Sequence, residues 1–213
     1  MCKATNNKKR ILFICLGNIC RSPAAHAVMQ HLVDERGCSN QYEIDSAGIG
    51  DWHVGQLPDK RMREHGKRRG YDVNHHARQF EARKDFAYFD QIVVMDEDNY
   101  RYITSQAPDA TARGNVVCMA DYFTRHKHAT CVPDPYYGGA EDFELALDLI
   151  EDGCEGLIKA SLNPLKEEGI FPKHSSKVGT DVLVCPHIVM LFFKSKSLRQ
   201  YVFGVPFLFA YPP

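Results

Sequence analysis

RILFICLGNICRSP, Arg10–Pro23, is the stretch that decides how this chain folds. Its first part, Arg10–Cys15, is a continuous apolar run too short to be a helix by itself, which predicts a strand buried on both faces. From Pro23 onward the period changes. Ala25, Val28, Met29 and Leu32 recur at helical spacing, Pro23 suits a first helical turn, and Gly37 supplies a stop. The residues between strand and helix, Leu16–Ser22, must therefore form a tight connection at the carboxyl end of the strand.

Outward from this unit the alternation continues. Tyr42–Ala47 reads as a second strand, with Gly48 and Gly50 opening a loop, and Leu57–Arg69 as a helix closed by Gly70. Ile92–Met95 is a third strand with Asp96 at its carboxyl end, and Asn115–Met119 a fourth. Phe143, Ala146, Leu147, Ile150, Cys154, Leu157 and Ile158 form one apolar helical stripe. Strands alternating with helices predict an α/β fold, a doubly wound sheet of four parallel strands with helices on both faces. Such sheets bind ligands beyond the carboxyl ends of their strands, where the first strand delivers Cys15.

The organisation expected is a polar lead at 1–9, one domain at 10–162, and a tail at 163–213 in which prolines crowd and the alternation stops. The tail carries two apolar pieces, Val182–Phe193 and Tyr201–Tyr211, each too short to span a bilayer. It is expected to lie outside the core. No secretory signal or membrane span is recognisable, so a cytoplasmic location is expected, with the eight cysteines mostly reduced. A formal net charge of −1 gives no global field directed at nucleic acid or membrane. The local basic stretch Arg61, Arg63, Lys67, Arg68, Arg69 reads as a solvated helix face. With no CxxC pair and no His/Cys spacing suited to zinc, no metal is expected.

A loop between a strand and a helix start can turn successive backbone N–H groups inward, and the helix terminus adds positive potential, which makes a concavity for a phosphate dianion. In Cys15-Leu16-Gly17-Asn18-Ile19-Cys20-Arg21-Ser22, Gly17 is expected to permit backbone geometry that side chains forbid, and Asn18 to tolerate the left-handed region. Cys15 at the base is expected to act as a thiolate. Arg21 closes the Cys-x5-Arg spacing with a guanidinium able to grip two phosphate oxygens in a fork. Ser22 can donate its hydroxyl proton towards the Cys15 sulfur. Cleaving a phosphate ester also needs an acid for the departing oxygen. Asp134, in Val132-Pro133-Asp134-Pro135-Tyr136-Tyr137-Gly138-Gly139, is the best candidate, although read alone this segment is just a Pro/Gly turn with an exposed carboxylate.

Five segments together resemble the low-molecular-weight protein tyrosine phosphatases: CLGNICRSP from Cys15, DSAGIGDWHVG from Asp45, HHARQF from His75, VVMDEDN from Val93 and PDPYYGG from Pro133. They occur in that family's order and spacing over about residues 10–162. The resemblance implies a flavodoxin-like fold and a two-step hydrolysis without metal or cofactor. Cys15 would form a phosphocysteine, Asp134 would serve as general acid and then base, and Arg21 with the loop amides of Leu16, Gly17, Asn18, Ile19, Cys20 and Ser22 would hold the phosphate. It further implies Ser46 and His75 as supports of Asn18, Asp96 as a nearby second acid, and Trp52, Tyr136 and Tyr137 as a rim framing an aromatic ring. The implied substrates are phosphotyrosine proteins and small aryl phosphates, the latter an acid phosphatase activity.

Three rival readings are weaker. An arsenate reductase of this fold needs a closely spaced downstream cysteine pair, which Cys118 and Cys131 do not resemble. A protein arginine phosphatase typically has Thr where this chain has Ile19. A phospho-binding module without turnover would usually have lost Cys15, Arg21 or Asp134.

Overall fold

The computed structural model describes residues 8–162; the lead before residue 8 and the tail at 163–213 lie outside them. The elements run β1 (Lys9–Cys15), α1 (Arg21–Glu35), β2 (Tyr42–Gly48), α2 (Lys60–Arg68), α3 (Ala82–Tyr88), β3 (Gln91–Val94), α4 (Glu97–Ser105), α5 (Ala110–Gly114), β4 (Val116–Cys118) and α6 (Ala140–Leu162), with short 3-10 turns at Ser39–Gln41 and Met119–Tyr122. The strands pair in the order β2-β1-β3-β4, and every pairing is parallel. This is the flavodoxin-like arrangement, and its strand order reverses between β1 and β3, the switch point at which such sheets open a crevice.

β1 shows why its sequence has no polar alternation. Ile11, Phe13 and Cys15 belong to the core on one face, with Val28 and Met29 of α1 and Leu147 and Ile150 of α6. Leu12 and Ile14 belong to the core on the other face, with Ile103 of α4 and Phe80 and Phe89 flanking α3. Both faces are covered, so every position from Ile11 to Ile14 is fully buried. Pairing fixes Phe13 opposite Ser46 and Cys15 opposite Gly48 on β2, and Ile14 opposite Val94 on β3. Three chain reversals thus leave the same end of the sheet.

α1 ends as the sequence predicts. Gly37 takes φ 62, its N–H donates to Asp34 O at 2.9 Å, and Cys38 N–H donates to Val33 O at 2.8 Å. α2 begins later than the expected Leu57. Asp59 is its N-cap, accepting from Arg61 N at 2.8 Å, and the preceding Pro58 favours extended backbone before the cap. The basic stretch is only partly a solvated face. Arg63, Lys67 and Arg68 are exposed, but Arg69 pairs with Glu144, with Asp148 at 2.7 Å and with Glu151 at 3.0 Å, tying α2 to α6. Helices α3, α4 and α5 were not foreseen from the pattern. Among the described residues no helix is long and apolar enough to cross a membrane. No disulfide involves Cys15, Cys20, Cys118 or Cys154.

Candidate active site

β1 stops at Cys15 and α1 starts at Arg21, so the connection between them is five residues long. Its carbonyls are turned outward. Cys15 O accepts from Ile49 N at 3.0 Å, Leu16 O from Gly50 N at 2.9 Å, and Ile19 O from Asp59 N at 2.8 Å. With the carbonyls facing away, the amides of Gly17 to Cys20 donate to no acceptor among the described residues, and α1 adds its N-terminal N–H groups. The result is a ring of donors around the Cys15 side chain, suited to a multivalent anion.

A buried side-chain network holds this loop. Asn18 is the non-glycine residue with positive φ, 54°, among the described residues. Its amide nitrogen donates to Ser22 Oγ at 2.8 Å and Ser46 Oγ at 2.9 Å. Its Oδ1 accepts from Arg78 N at 3.0 Å. Ser22 Oγ accepts from Asn18, and its own proton has two acceptors in reach, Cys15 Sγ at 3.0 Å and the more distant Ala47 O at 3.4 Å. Asn18, Ser22 and Ser46 are fully buried. His75 acts at one remove from Asn18: its Nε2 lies 3.0 Å from Ser46 O. Gly17 differs from expectation, since its φ is not positive. What its missing side chain provides is room, because a Cβ there would lie 3.1 Å from the His53 ring.

Arg21 is 3% exposed. Its Nη1 donates to Asp96 Oδ2 at 2.6 Å and to Val132 O at 3.2 Å, and its Nη2 to Asp134 Oδ2 at 2.8 Å. Nε is buried and has no acceptor among the described residues. Burial alone would lower the guanidinium, yet the charges of Asp134 and then Asp96 more than offset it and push its pKa up. Asp96 comes off the end of β3 and is also the N-cap of α4, accepting from Asn99 N at 2.7 Å. Val132 N bonds Met95 O at 2.8 Å, which docks the segment carrying Asp134 onto the end of β3. Cys20 is buried beside Cys15, and burial, followed by the Cys15 charge, raises its thiol.

The three aromatic residues expected at a rim are placed as follows. Trp52 is 52% exposed and Tyr137 80% exposed. Trp52 Nε1 would lie 3.7 Å from a Cβ on Gly17, so the indole sits over the phosphate loop. Tyr136 meets Tyr137 edge-on with ring centroids 4.9 Å apart, and its carbonyl accepts from Arg61 Nη2 at 2.8 Å. Residues that sequence reasoning missed are Arg78, Val132 and Asp59. All three act through backbone groups, which leave no side-chain signature, and Asp59 also shows the N-cap pattern of an acid before α2.

The low molecular weight phosphotyrosine protein phosphatase family model matches residues 10–169. A candidate low molecular weight protein-tyrosine-phosphatase of Synechocystis sp. is 48% identical over 149 residues, 70% of this chain and 94% of that protein. The low molecular weight phosphotyrosine protein phosphatase of Sus scrofa is 39% identical over 152 residues, 71% of this chain and 94% of that one. The solved protein tyrosine phosphatase of Entamoeba histolytica, with Hepes in its active site, is 42% identical, covers 74% of this chain and 99% of its own, and superposes with a TM-score of 0.71. The loop, the buried arginine and the acid segment lie within the matched region, and the relatives are covered almost end to end. The chain therefore belongs to the low molecular weight phosphotyrosine protein phosphatase family and is itself a phosphotyrosine phosphatase.

Proposed function

We propose that residues 10–162 form the catalytic domain and that Cys15, Arg21 and Asp134 carry the hydrolysis. The observation that carries this reading is the state of the Arg21 guanidinium. Nη1 is fixed by Asp96 and Val132, while the side-on edge of Nε and Nη2 has one donor without an acceptor and one donor on Asp134. A phosphate dianion seated among the loop amides takes that edge as a fork. Nη2 then turns from Asp134 to phosphate, and Asp134 faces an anion in place of a cation, a setting that favours its protonated form.

Cys15 Sγ attacks phosphorus as the ester P–O bond breaks, and Asp134 passes its proton to the departing phenolic oxygen. Asp134 next takes a proton from water, whose oxygen attacks phosphorus and releases the Cys15 sulfur and inorganic phosphate. Ser22 Oγ–H stabilises negative sulfur as attacking and as leaving group. Arg21 and the loop amides meet the charge on the equatorial oxygens in both steps. Asp96 serves as the anchor of Arg21 and Asp134 as the acid: each carboxylate accepts from two donors, but Asp96 holds Nη1 at 2.6 Å and the α4 cap at 2.7 Å, whereas Asp134 holds Nη2 at 2.8 Å and Tyr136 N at only 3.2 Å. Ser46 and His75 position Asn18.

The substrates favoured within this reading are phosphotyrosine proteins and small aryl phosphates in the cytoplasm. A ring passing Trp52 and Tyr137 gains roughly 0.5–1.5 kcal/mol at each, which converts to about 5–150-fold in kcat/KM for phosphotyrosine over phosphoserine. The test is hydrolysis of matched phosphotyrosine, phosphoserine and phosphoarginine peptides by the full chain and by Cys15→Ser, which should be inactive on all three. Equal kcat/KM on phosphotyrosine and phosphoserine, or preference for phosphoarginine, overturns the assignment.

A further inference from the structure

His26 on α1, Asp45 on β2 and His75 between α2 and α3 are far apart in the chain and meet behind the phosphate loop. Their potential ligand atoms all lie within 4.8 Å of one another. His75 Nε2 is 3.5 Å from Asp45 Oδ1, and the two imidazole centroids are 5.1 Å apart with the rings tilted by 51°. Both imidazoles line a surface cavity of about 290 Å³. His26 Nδ1 is buried and has no hydrogen-bond partner among the described residues.

We propose that His26, Asp45 and His75 form a binding site for a divalent transition metal ion of the zinc type. Tetrahedral zinc with N and O ligands at about 2.0–2.2 Å sets its ligand atoms roughly 3.3–3.5 Å apart. The Asp45–His75 pair already has that spacing, and a modest rotation of His26 completes the triangle. Two imidazoles with one carboxylate suit zinc, cobalt, nickel or copper better than magnesium or calcium, and the cavity leaves a fourth position for water.

The carboxylate of the site is already oriented. Arg78 Nε and Nη2 both hold Asp45 Oδ2 at 2.8 Å, which turns Oδ1 towards His75 and orients the carboxylate as the outer partners of metal ligands do. Oδ1 also accepts from Ser46 N at 2.7 Å. His75 Nε2 here donates to Ser46 O at 3.0 Å; ligation through this nitrogen releases that hydrogen bond and its proton, so metal binding competes with the support of the phosphate loop.

The test uses the full-length Cys15→Ser protein, so that the loop thiolate cannot bind metal, titrated with cobalt(II) and then zinc(II). The expected result is visible cobalt bands of a low-coordinate nitrogen and oxygen site, without thiolate charge transfer, that zinc bleaches. His26→Gln in the same background should abolish the bands. It should also weaken zinc, measured against a chromogenic chelator, by more than the roughly 10–100-fold lost when only a ligand's hydrogen-bond partner is removed. His75→Gln serves as the second variant should His26→Gln melt early. Absent bands, bands unchanged in both histidine variants, or bands with thiolate charge transfer overturn the proposal.

Discussion

Replacing Asn18 with alanine should damage stability and turnover together, by an amount that can be built from its contacts. The substitution leaves the part-buried Arg78 N–H without its 3.0 Å acceptor, at a cost of about 1–3 kcal/mol. It removes the bonds to Ser22 Oγ at 2.8 Å and Ser46 Oγ at 2.9 Å, about 0.5–1.5 kcal/mol each. It also puts a Cβ-bearing residue without a local hydrogen-bonding side chain at φ 54, about 1–2 kcal/mol. The sum is roughly 3–8 kcal/mol, and at about 2–4 °C per kcal/mol for a chain of this size, Tm should fall by on the order of 10 °C or more. Asn18→Gly loses the same bonds but not the backbone allowance, and should recover about 1–2 kcal/mol of the loss. Differential scanning calorimetry of the three proteins, with kcat and KM for an aryl phosphate, checks the reasoning. The kcat should fall in both variants, because the Ser22 hydroxyl is no longer fixed on Cys15. Equal Tm for the alanine and glycine variants would show that φ 54 stores nothing, and an alanine variant melting with wild type would show that the network does not hold the loop.

Asp134→Ala should lower kcat for phenyl phosphate by roughly 10²–10⁴-fold, with the loss shrinking as the leaving phenol becomes more acidic; a uniform loss across a leaving-group series would remove Asp134 from the acid role. Gly156→Ala in α6 would place a Cβ 2.0 Å from the Tyr122 carbonyl oxygen. Better helix propensity would contribute about 1 kcal/mol, but a clash with backbone costs about 1–3 kcal/mol or more, so urea unfolding should show a net destabilisation, and a stabilised variant would mean that α6 does not press on the turn at Met119–Tyr122.

The β1–loop–α1 unit was legible because three independent signals agree there: an unbroken apolar run, a change of period after Pro23, and Gly37 at the stop. β2, β3 and β4 were located to within about a residue at each end, since short apolar runs bounded by turn residues have few alternatives. Helices α4 and α5 were invisible to apolar periodicity because each buries little, and their signal is in their caps. Asp96 accepts from Asn99 N and Asp109 from Ala112 N, an acid three residues ahead of the donor in both cases. The partners of Arg21 could not be read from spacing, as one of them is the carbonyl of Val132. The meeting of His26 with Asp45 and His75 was equally hidden, because the metal-ligand patterns recognisable in sequence are local and this cluster is assembled by the sheet.

The parallel register acts as a ruler for the chemistry. Phe13 opposite Ser46 and Cys15 opposite Gly48 set how far β2 runs beside β1 before either chain turns. A slip of one residue would carry Ser46 about 3.3 Å along the strand and point its hydroxyl to the opposite face of the sheet. The helices and most of the apolar burial could survive such a slip, while Asn18 would lose its seat and Cys15 its poised hydroxyl. Catalytic competence in this molecule is consequently a stricter report of correct strand alignment than helix content is, and recovery of turnover after refolding counts the molecules whose sheet has locked in step.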